Sequence, residues 1–175
     1  MSFPSKTDRE TILRTALEII ETHGWNALSM RALGRKLGLR ASSLYHHFPD
    51  RNAIEAALAS NASHSLLLAL KSASAGLKGP SKIHALAAAY IDFALHNQAL
   101  YNLIAVLPSS GEELWLFLLD TLNGDSAATG ALWAFLHGYA SLQLAQKLDP
   151  GTAAESLDRG LSALLTGLSK KQNIL

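Results

Sequence analysis

Residues 29–51 read SMRALGRKLGLRASSLYHHFPDR, and this stretch decides the fold of the N-terminal part of the chain. Within 30–37 and again within 41–48, the inward-facing apolar residues recur at an interval of four, which predicts two short amphipathic helices. Gly38 ends the first helix, and only two residues separate it from the second. Pro49 cannot lie inside a helix that has already begun, so the second helix ends there. Two short helices joined by a tight turn that contains glycine form a helix-turn-helix.

Helices are also predicted on both sides of this unit. A helix over residues 7–21 precedes it, with Gly24 placed for a left-handed C-terminal cap and Trp25 folding back as the accompanying apolar contact. Ser29 and Asp50 are suited as N-caps of the helices that follow them. The remaining helices are predicted over residues 51–75, 81–96, 97–107, 112–122, 126–148 and 152–170.

The composition supports an all-α fold for the whole chain of 175 residues. There are 34 Leu and 28 Ala, against eight Ile and one Val. Helices draw on leucine and alanine, whereas sheets draw on β-branched residues. The balance therefore excludes barrels, sandwiches and dinucleotide-binding α/β folds.

Several functional classes are not supported by the sequence. The chain has no cysteine, which excludes disulfides, thiolate metal sites and cysteine nucleophiles. We expect no metal site and no cofactor, because no two of the seven histidines lie four residues apart and no nucleotide-binding or hydrolase motif occurs. The polar N-terminus and the absence of a long apolar run predict a cytoplasmic protein that neither carries a secretory signal nor crosses a membrane.

Charge divides the chain into two units. Residues 1–51 contain eight Lys or Arg and five Asp or Glu, a net +3, whereas residues 52–175 contain seven and nine, a net −2. We therefore expect a DNA-binding domain over 1–51, here called the head, and a second domain over 52–175, here called the body. A basic head on a slightly acidic body indicates a polyanionic partner for the head.

The second helix of the helix-turn-helix would present a small, hydrogen-bonding face to DNA. Once Leu44 and Phe48 turn inward, the residues left outside are Ala41, Ser42, Ser43, Tyr45, His46 and His47. Their cationic neighbours are Arg31, Arg35, Lys36, Arg40 and Arg51. Hydroxyl groups bond bases or phosphates, and cations neutralise the DNA backbone. From periodicity alone, a helix-turn-helix used only to pack three helices remains an alternative.

Residues 11–58 resemble the N-terminal domain of TetR-family transcriptional repressors. The resemblance rests on His23-Gly24-Trp25, Ser29-Met30-Arg31, Lys36-Leu37-Gly38-Leu39 and Leu44-Tyr45-His46-His47-Phe48 followed by Asp50-Arg51. It implies that Ser29 and Met30 meet phosphate, that Arg31 reaches a base in the groove, and that Tyr45 meets phosphate and a thymine methyl. It also implies that the recognition helix starts with Arg40, Ala41, Ser42 and Ser43, that His46 and His47 lie near phosphate, and that Arg51 is the basic residue opening the next helix.

The body also resembles this family, through the run from Trp133 to Tyr139, which is similar to the Trp-His-Gly type of C-terminal domain. The resemblance implies a homodimer formed by the last two helices and a pocket for a small effector. The small residues Ala131, Ala134, Gly138, Ala140, Ser141 and Ala145 would let two such helices approach closely. The predicted ligand residues are Phe93, His96, Tyr101, Trp115, Trp133 and His137, from a wider set that adds His84, Tyr90 and Phe117, because aromatic walls with polar tips suit an amphipathic or aromatic effector.

The predicted function is a homodimeric repressor that binds a pseudopalindromic double-stranded DNA operator and is relieved by a small molecule. In one alternative the head still binds DNA, and the body only dimerises or binds a protein partner. In another, the chain is a small helical enzyme or carrier, but no clustered acid, base or nucleophile supports that class, so we expect no enzymatic activity.

Overall fold

The structure, a computed structural model, describes residues 8–106 and 112–172, and every regular element within those ranges is helical. A short 3₁₀ turn over Trp25–Ala27 follows the first α-helix. The α-helices are α1 (Arg9–His23), α2 (Met30–Leu37), α3 (Ala41–Leu44), α4 (Arg51–Ala73), α5 (Gly79–His96), α6 (Gln98–Val106), α7 (Glu112–Thr121), α8 (Ser126–Leu144) and α9 (Ala153–Gln172). The predicted all-α fold is confirmed.

Both predicted N-caps form, one at the start of α2 and one at the start of α4. The Ser29 hydroxyl oxygen accepts from the Ala32 N–H at 3.1 Å, and the Asp50 carboxylate accepts from the Ala53 N–H at 2.8 Å. Gly38 adopts the left-handed conformation with φ +68°, as predicted. Gly24 does not: its φ of +80° is combined with a ψ of 166°, so the chain leaves α1 extended and enters the 3₁₀ turn.

Two predicted helices are shorter than the sequence pattern indicated. The helix predicted over 41–48 ends at Leu44, and a turn follows in which the N–H groups of His47 and Phe48 both bond the Leu44 carbonyl. Pro49 contributes to this, because it has no N–H to bond the Tyr45 carbonyl and its ring disfavours the helical conformation at Phe48. The helix predicted to reach residue 148 ends at Leu144, where the chain turns through Gln146 at φ +54°. The predicted helix ends at residues 7 and 107 lie outside the described residues.

Two hydrophobic clusters form the cores of the head and the body. The head core contains residues from α1, α2 and α3, but it also takes Ile54 and Leu58 from α4 and Leu103 from α6. The body core contains Tyr101 and Ile104 from the same α6 helix. Side chains from α4 and α6, beyond residue 51, therefore complete the core of the head.

One helix in the described part of the chain, α4, has the length and apolar composition that a membrane span would need. Half of the segment concerned is buried inside the protein. A core helix shared by two packed domains has the same properties.

Candidate nucleic-acid interface and effector region

The close approach of α2 to the start of α3 depends on Gly34. A Cβ atom at this position would lie 2.9 Å from the Leu39 carbonyl oxygen and 3.3 Å from the Ala41 backbone nitrogen. The Leu39 N–H also bonds the Gly34 carbonyl at 2.8 Å. Gly34 therefore sets the spacing within the helix-turn-helix. Sequence analysis did not identify this role, although a glycine in mid-helix was the available signal, since it costs about 1 kcal/mol of helix stability.

Most of the side chains predicted to face DNA are exposed. Leu44 and Phe48 are buried in the head core, as predicted, and this orientation leaves Tyr45 52% exposed. Ala41 and His47 are half-buried. The exposed members of the predicted set are Ser29, Arg31, Arg40, Ser42, Ser43, Tyr45 and His46. Such a surface can bond phosphates through its hydroxyls and cations and can read base edges through Arg31.

Two predicted DNA contacts are engaged inside the protein. The Met30 side chain is buried in the head core, so only its backbone N–H, at the start of α2, is available to a phosphate. The Arg51 guanidinium is ion-paired with Glu55 and donates to the Trp25 carbonyl at 3.1 Å. It also lies 5.7 Å from the centre of the Trp25 ring. Arg51 therefore joins the start of α4 to the head.

Arg9 is a supporting residue that sequence analysis missed. Its guanidinium lies 4.0 Å above the Phe48 ring and donates to the His47 carbonyl. The contact ties the first turn of α1 to the turn that follows α3. No spacing signal links positions 38 residues apart, so only the fold brings these groups together.

Three of the predicted ligand residues meet in the body, together with Tyr90 from the wider set. The Tyr101 hydroxyl lies 2.9 Å from Nδ1 of His137, and the two rings stack at 5.4 Å. Tyr90 packs edge-on against Trp133, with ring centres 5.6 Å apart, and its hydroxyl is 3.4 Å from the same His137 nitrogen. Burial, with a further contribution from Tyr101, holds the pKa of Tyr90 far above its usual range. We call these four residues the aromatic cluster.

The other predicted ligand residues lie elsewhere. Phe93 is buried in the body core, and Trp115 is half-buried on α7. His96 is exposed and lines a cavity of about 600 Å³ between head and body. Two smaller cavities, of about 300 and 260 Å³, lie between α4 and α7 and beside the start of α5. The described residues contain no group of three or more His, Asp or Glu that could hold a metal ion.

α8 has one face inside the body and one outside. Leu132, Leu136 and Tyr139 are buried, and the Tyr139 hydroxyl donates to the carbonyl of Ala153 at the start of α9. Ala140 is also fully buried, so it cannot contribute to a helix pair between subunits as the sequence suggested. The outward face consists mainly of small residues, namely Ala127, Ala131, Ala134, Gly138, Ser141 and Ala145, with Leu142 48% exposed among them.

The chain matches two family descriptions that between them include head and body. "Bacterial regulatory proteins, tetR family" matches residues 12–58, and "Tetracyclin repressor-like, C-terminal domain" matches residues 83–164. The uncharacterized HTH-type transcriptional regulator YobS of Bacillus subtilis (strain 168) is 30% identical over 177 residues, which cover 91% of this chain and 92% of that protein.

Solved structures share the fold. A protein with unknown function from Rhodococcus sp. RHA1 superposes with a TM-score of 0.80 at 24% identity, covering 95% of this chain and 98% of that one. A TetR variant from Acinetobacter baumannii AYE in complex with minocycline has a TM-score of 0.67 at 20% identity, covering 94% and 97% of the two chains.

A helix-turn-helix carried by a helical body defines a DNA-binding transcriptional regulator. The chain belongs to the TetR family, and the resemblance inferred from its sequence is confirmed. The relatives that match it over most of its length are named transcriptional regulators, a class that is typically not enzymatic.

Proposed function

We propose that the protein is a cytoplasmic homodimer that represses transcription from a two-fold symmetric operator, and that a small molecule bound in the body releases it from DNA. The observation that carries this proposal is the position of α6. Leu103 of this helix is fully buried in the head core, while Tyr101 and Ile104 are buried in the body core. A change at α6 therefore reaches both domains.

The head supplies the DNA contacts. Its exposed residues include Ser42, Ser43 and Tyr45 as well as Arg31 and Arg40, and this supports a surface that combines groups able to read bases with groups that neutralise phosphate. Two such heads in a symmetric dimer would enter successive major grooves about 34–36 Å apart. A pseudopalindromic operator is the matching DNA.

The outward face of α8 supports a dimer. Ala134, Gly138 and Ala145 lie within one stripe along the helix, because their spacings are close to whole helical turns. Small residues let helix backbones approach closely, and Leu142 adds exposed apolar surface. In α9, Ala163 and Gly167 are exposed as well. Two copies of these helices would form a four-helix interface across a two-fold axis.

The aromatic cluster supports a site for an aromatic or amphipathic effector in the body. Tyr101 and His137 bond each other directly, so a ligand that takes over the His137 nitrogen would displace the Tyr101 hydroxyl. Because Tyr101 is on α6, the displacement would act on the helix that also holds Leu103 in the head core. The A. baumannii TetR variant of similar fold is in complex with minocycline, whose fused rings include one aromatic ring and carry several polar groups. The ligand acts only if it prefers the conformation that does not fit DNA.

The first test is selection of tight binders from a randomised duplex pool at near-physiological salt, with excess non-specific DNA as competitor. A two-fold symmetric motif is the expected result, and its spacing gives the separation of the two heads. Binding without sequence preference, by a folded protein, would contradict the assignment of the head.

The effector is tested by thermal unfolding and operator titration with polycyclic aromatic compounds, minocycline first. A true effector raises the midpoint of unfolding and weakens operator binding, and both effects are lost in His137→Phe. The second candidate function, a body that only dimerises or binds a protein partner, is favoured by the fact that the Tyr101 and His137 polar groups already bond each other. Operator binding that is intact, together with no stabilisation by any of these compounds, would support this second function.

A further inference from the structure

The largest cavity described above lies at the junction of head and body, away from the aromatic cluster. The last turn of α1 and the 3₁₀ turn form one wall, and the corner between α5 and α6 forms the other. Its volume of about 600 Å³ falls within the range of small-molecule sites. The cavity therefore lies between the head and the body. The orientation of the head relative to the body must stay fixed if both heads of a dimer are to reach DNA.

The carboxylate in this cavity favours a cation, and His96, which also lines the cavity, already lies 3.1 Å from the carboxylate of Asp92. Glu21 is exposed at its edge, and its carboxylate has no ion pair within the described residues. Glu21 also lies in the last turn of α1, where the helix macrodipole carries partial negative charge. A cationic group here would gain from both sources.

The cavity also has an apolar side and a set of neutral hydrogen-bonding groups. Ile20, Ala99 and the half-buried indole of Trp25 form the apolar part, and the Asn102 side chain supplies donor and acceptor atoms. The face of an indole ring attracts a cation that lies over it. The combination fits a molecule with one aromatic ring and one protonated amine.

The wall of the cavity is joined to the start of α4. The carbonyl of Trp25 accepts a hydrogen bond from Arg51 at 3.1 Å, and Arg51 is ion-paired with Glu55. An occupant in contact with the indole would therefore touch a residue whose carbonyl is bonded to Arg51 at the start of α4. No side chain of the aromatic cluster lines this cavity.

We propose that this junction cavity is a second ligand site, specific for small amphipathic cations, with Glu21 binding the amine and Trp25 and Ile20 binding the apolar part. It is separate from the effector site proposed in the body. A molecule bound here touches head and body at once.

The test uses benzylamine, which carries a protonated amine on an aromatic ring, and benzyl alcohol, its neutral isostere. The signals of the three tryptophan indole N–H groups are followed by NMR during titration of the full chain without DNA, with Trp25 assigned from Trp25→Phe. We expect benzylamine to shift the Trp25 signal with saturation and benzyl alcohol to bind at least threefold more weakly.

Glu21→Gln and Glu10→Gln separate the proposed site from general attraction to an acidic surface. Both carboxylates are exposed on α1, at opposite ends of the helix, so the fold tolerates both changes. Because Glu21→Gln removes the carboxylate that pairs with the amine, we expect about a threefold weaker affinity for benzylamine in Glu21→Gln only. An unshifted Trp25 signal, equal binding of the two compounds, or equal loss in both variants would each overturn the proposal. None of these outcomes depends on operator binding or on the body effector.

Discussion

Gly34→Ala tests how the geometry of the helix-turn-helix arises. The added Cβ would lie 2.9 Å from the Leu39 carbonyl oxygen, about half an ångström closer than the 3.4 Å at which ordinary contact begins. The obstacle is backbone, fixed by the bond from the Leu39 N–H, so α3 must move relative to α2. Overpacking costs about 1–3 kcal/mol, and the gain in helix propensity returns about 1 kcal/mol.

We therefore expect a net loss of up to about 2 kcal/mol, or up to roughly 8 °C in the midpoint of thermal unfolding for a chain of this size. Operator affinity should fall by more than stability predicts, because the displaced element carries the exposed serines and Tyr45. Gly130→Ala is the matched control: it lies in α8, nothing lies within 4 Å of its added Cβ, and the substitution should be neutral or stabilising. A Gly34→Ala protein with wild-type stability and affinity would refute the reasoning.

Further predictions concern DNA, the dimer and the body core. Arg31→Ala and Tyr45→Ala should each cost about 1–3 kcal/mol of operator affinity, measured by DNA titration, with the dimer intact by sedimentation. Gly138→Leu should shift sedimentation toward monomer, because a bulky side chain keeps the α8 helices apart. Tyr139→Phe should lower the free energy of unfolding by about 1–2 kcal/mol in a denaturant titration, since its hydroxyl bonds a buried carbonyl. Above pH 10, folded Tyr90 keeps a proton that the unfolded chain releases, so the free energy of unfolding should fall with rising pH by up to about 1.4 kcal/mol per unit, and Tyr90→Phe should flatten that slope.

The sequence predicted the elements whose causes are local. Ser29 and Asp50 cap helices because a hydroxyl or carboxylate two or three residues before an N–H can bond it without help from the rest of the chain. The left-handed conformation of Gly38 was also predicted, because it depends only on the end of the helix that precedes it. The predicted end of α3 was wrong. An inward-facing Phe48 satisfies helical periodicity, but the following Pro49 disfavours helical backbone at Phe48 itself.

The functional residues divide in the same way. The exposure of Ser42, Ser43 and Tyr45 follows from the burial of Leu44, which the pattern shows directly. The inward position of Met30 does not follow from its place at the start of a helix. It depends on how the helices of the head pack against one another.

By itself, the sequence determined an all-α chain, the position of the helix-turn-helix and the family, since helical periodicity, caps and composition act over a few residues. Only the tertiary structure decided what those helices share. It placed Leu103 of α6 in the head core, Arg51 against Trp25, and Tyr101 beside His137. These contacts join residues 26 or more positions apart. Packing of whole helices, rather than any local preference, brings such residues together.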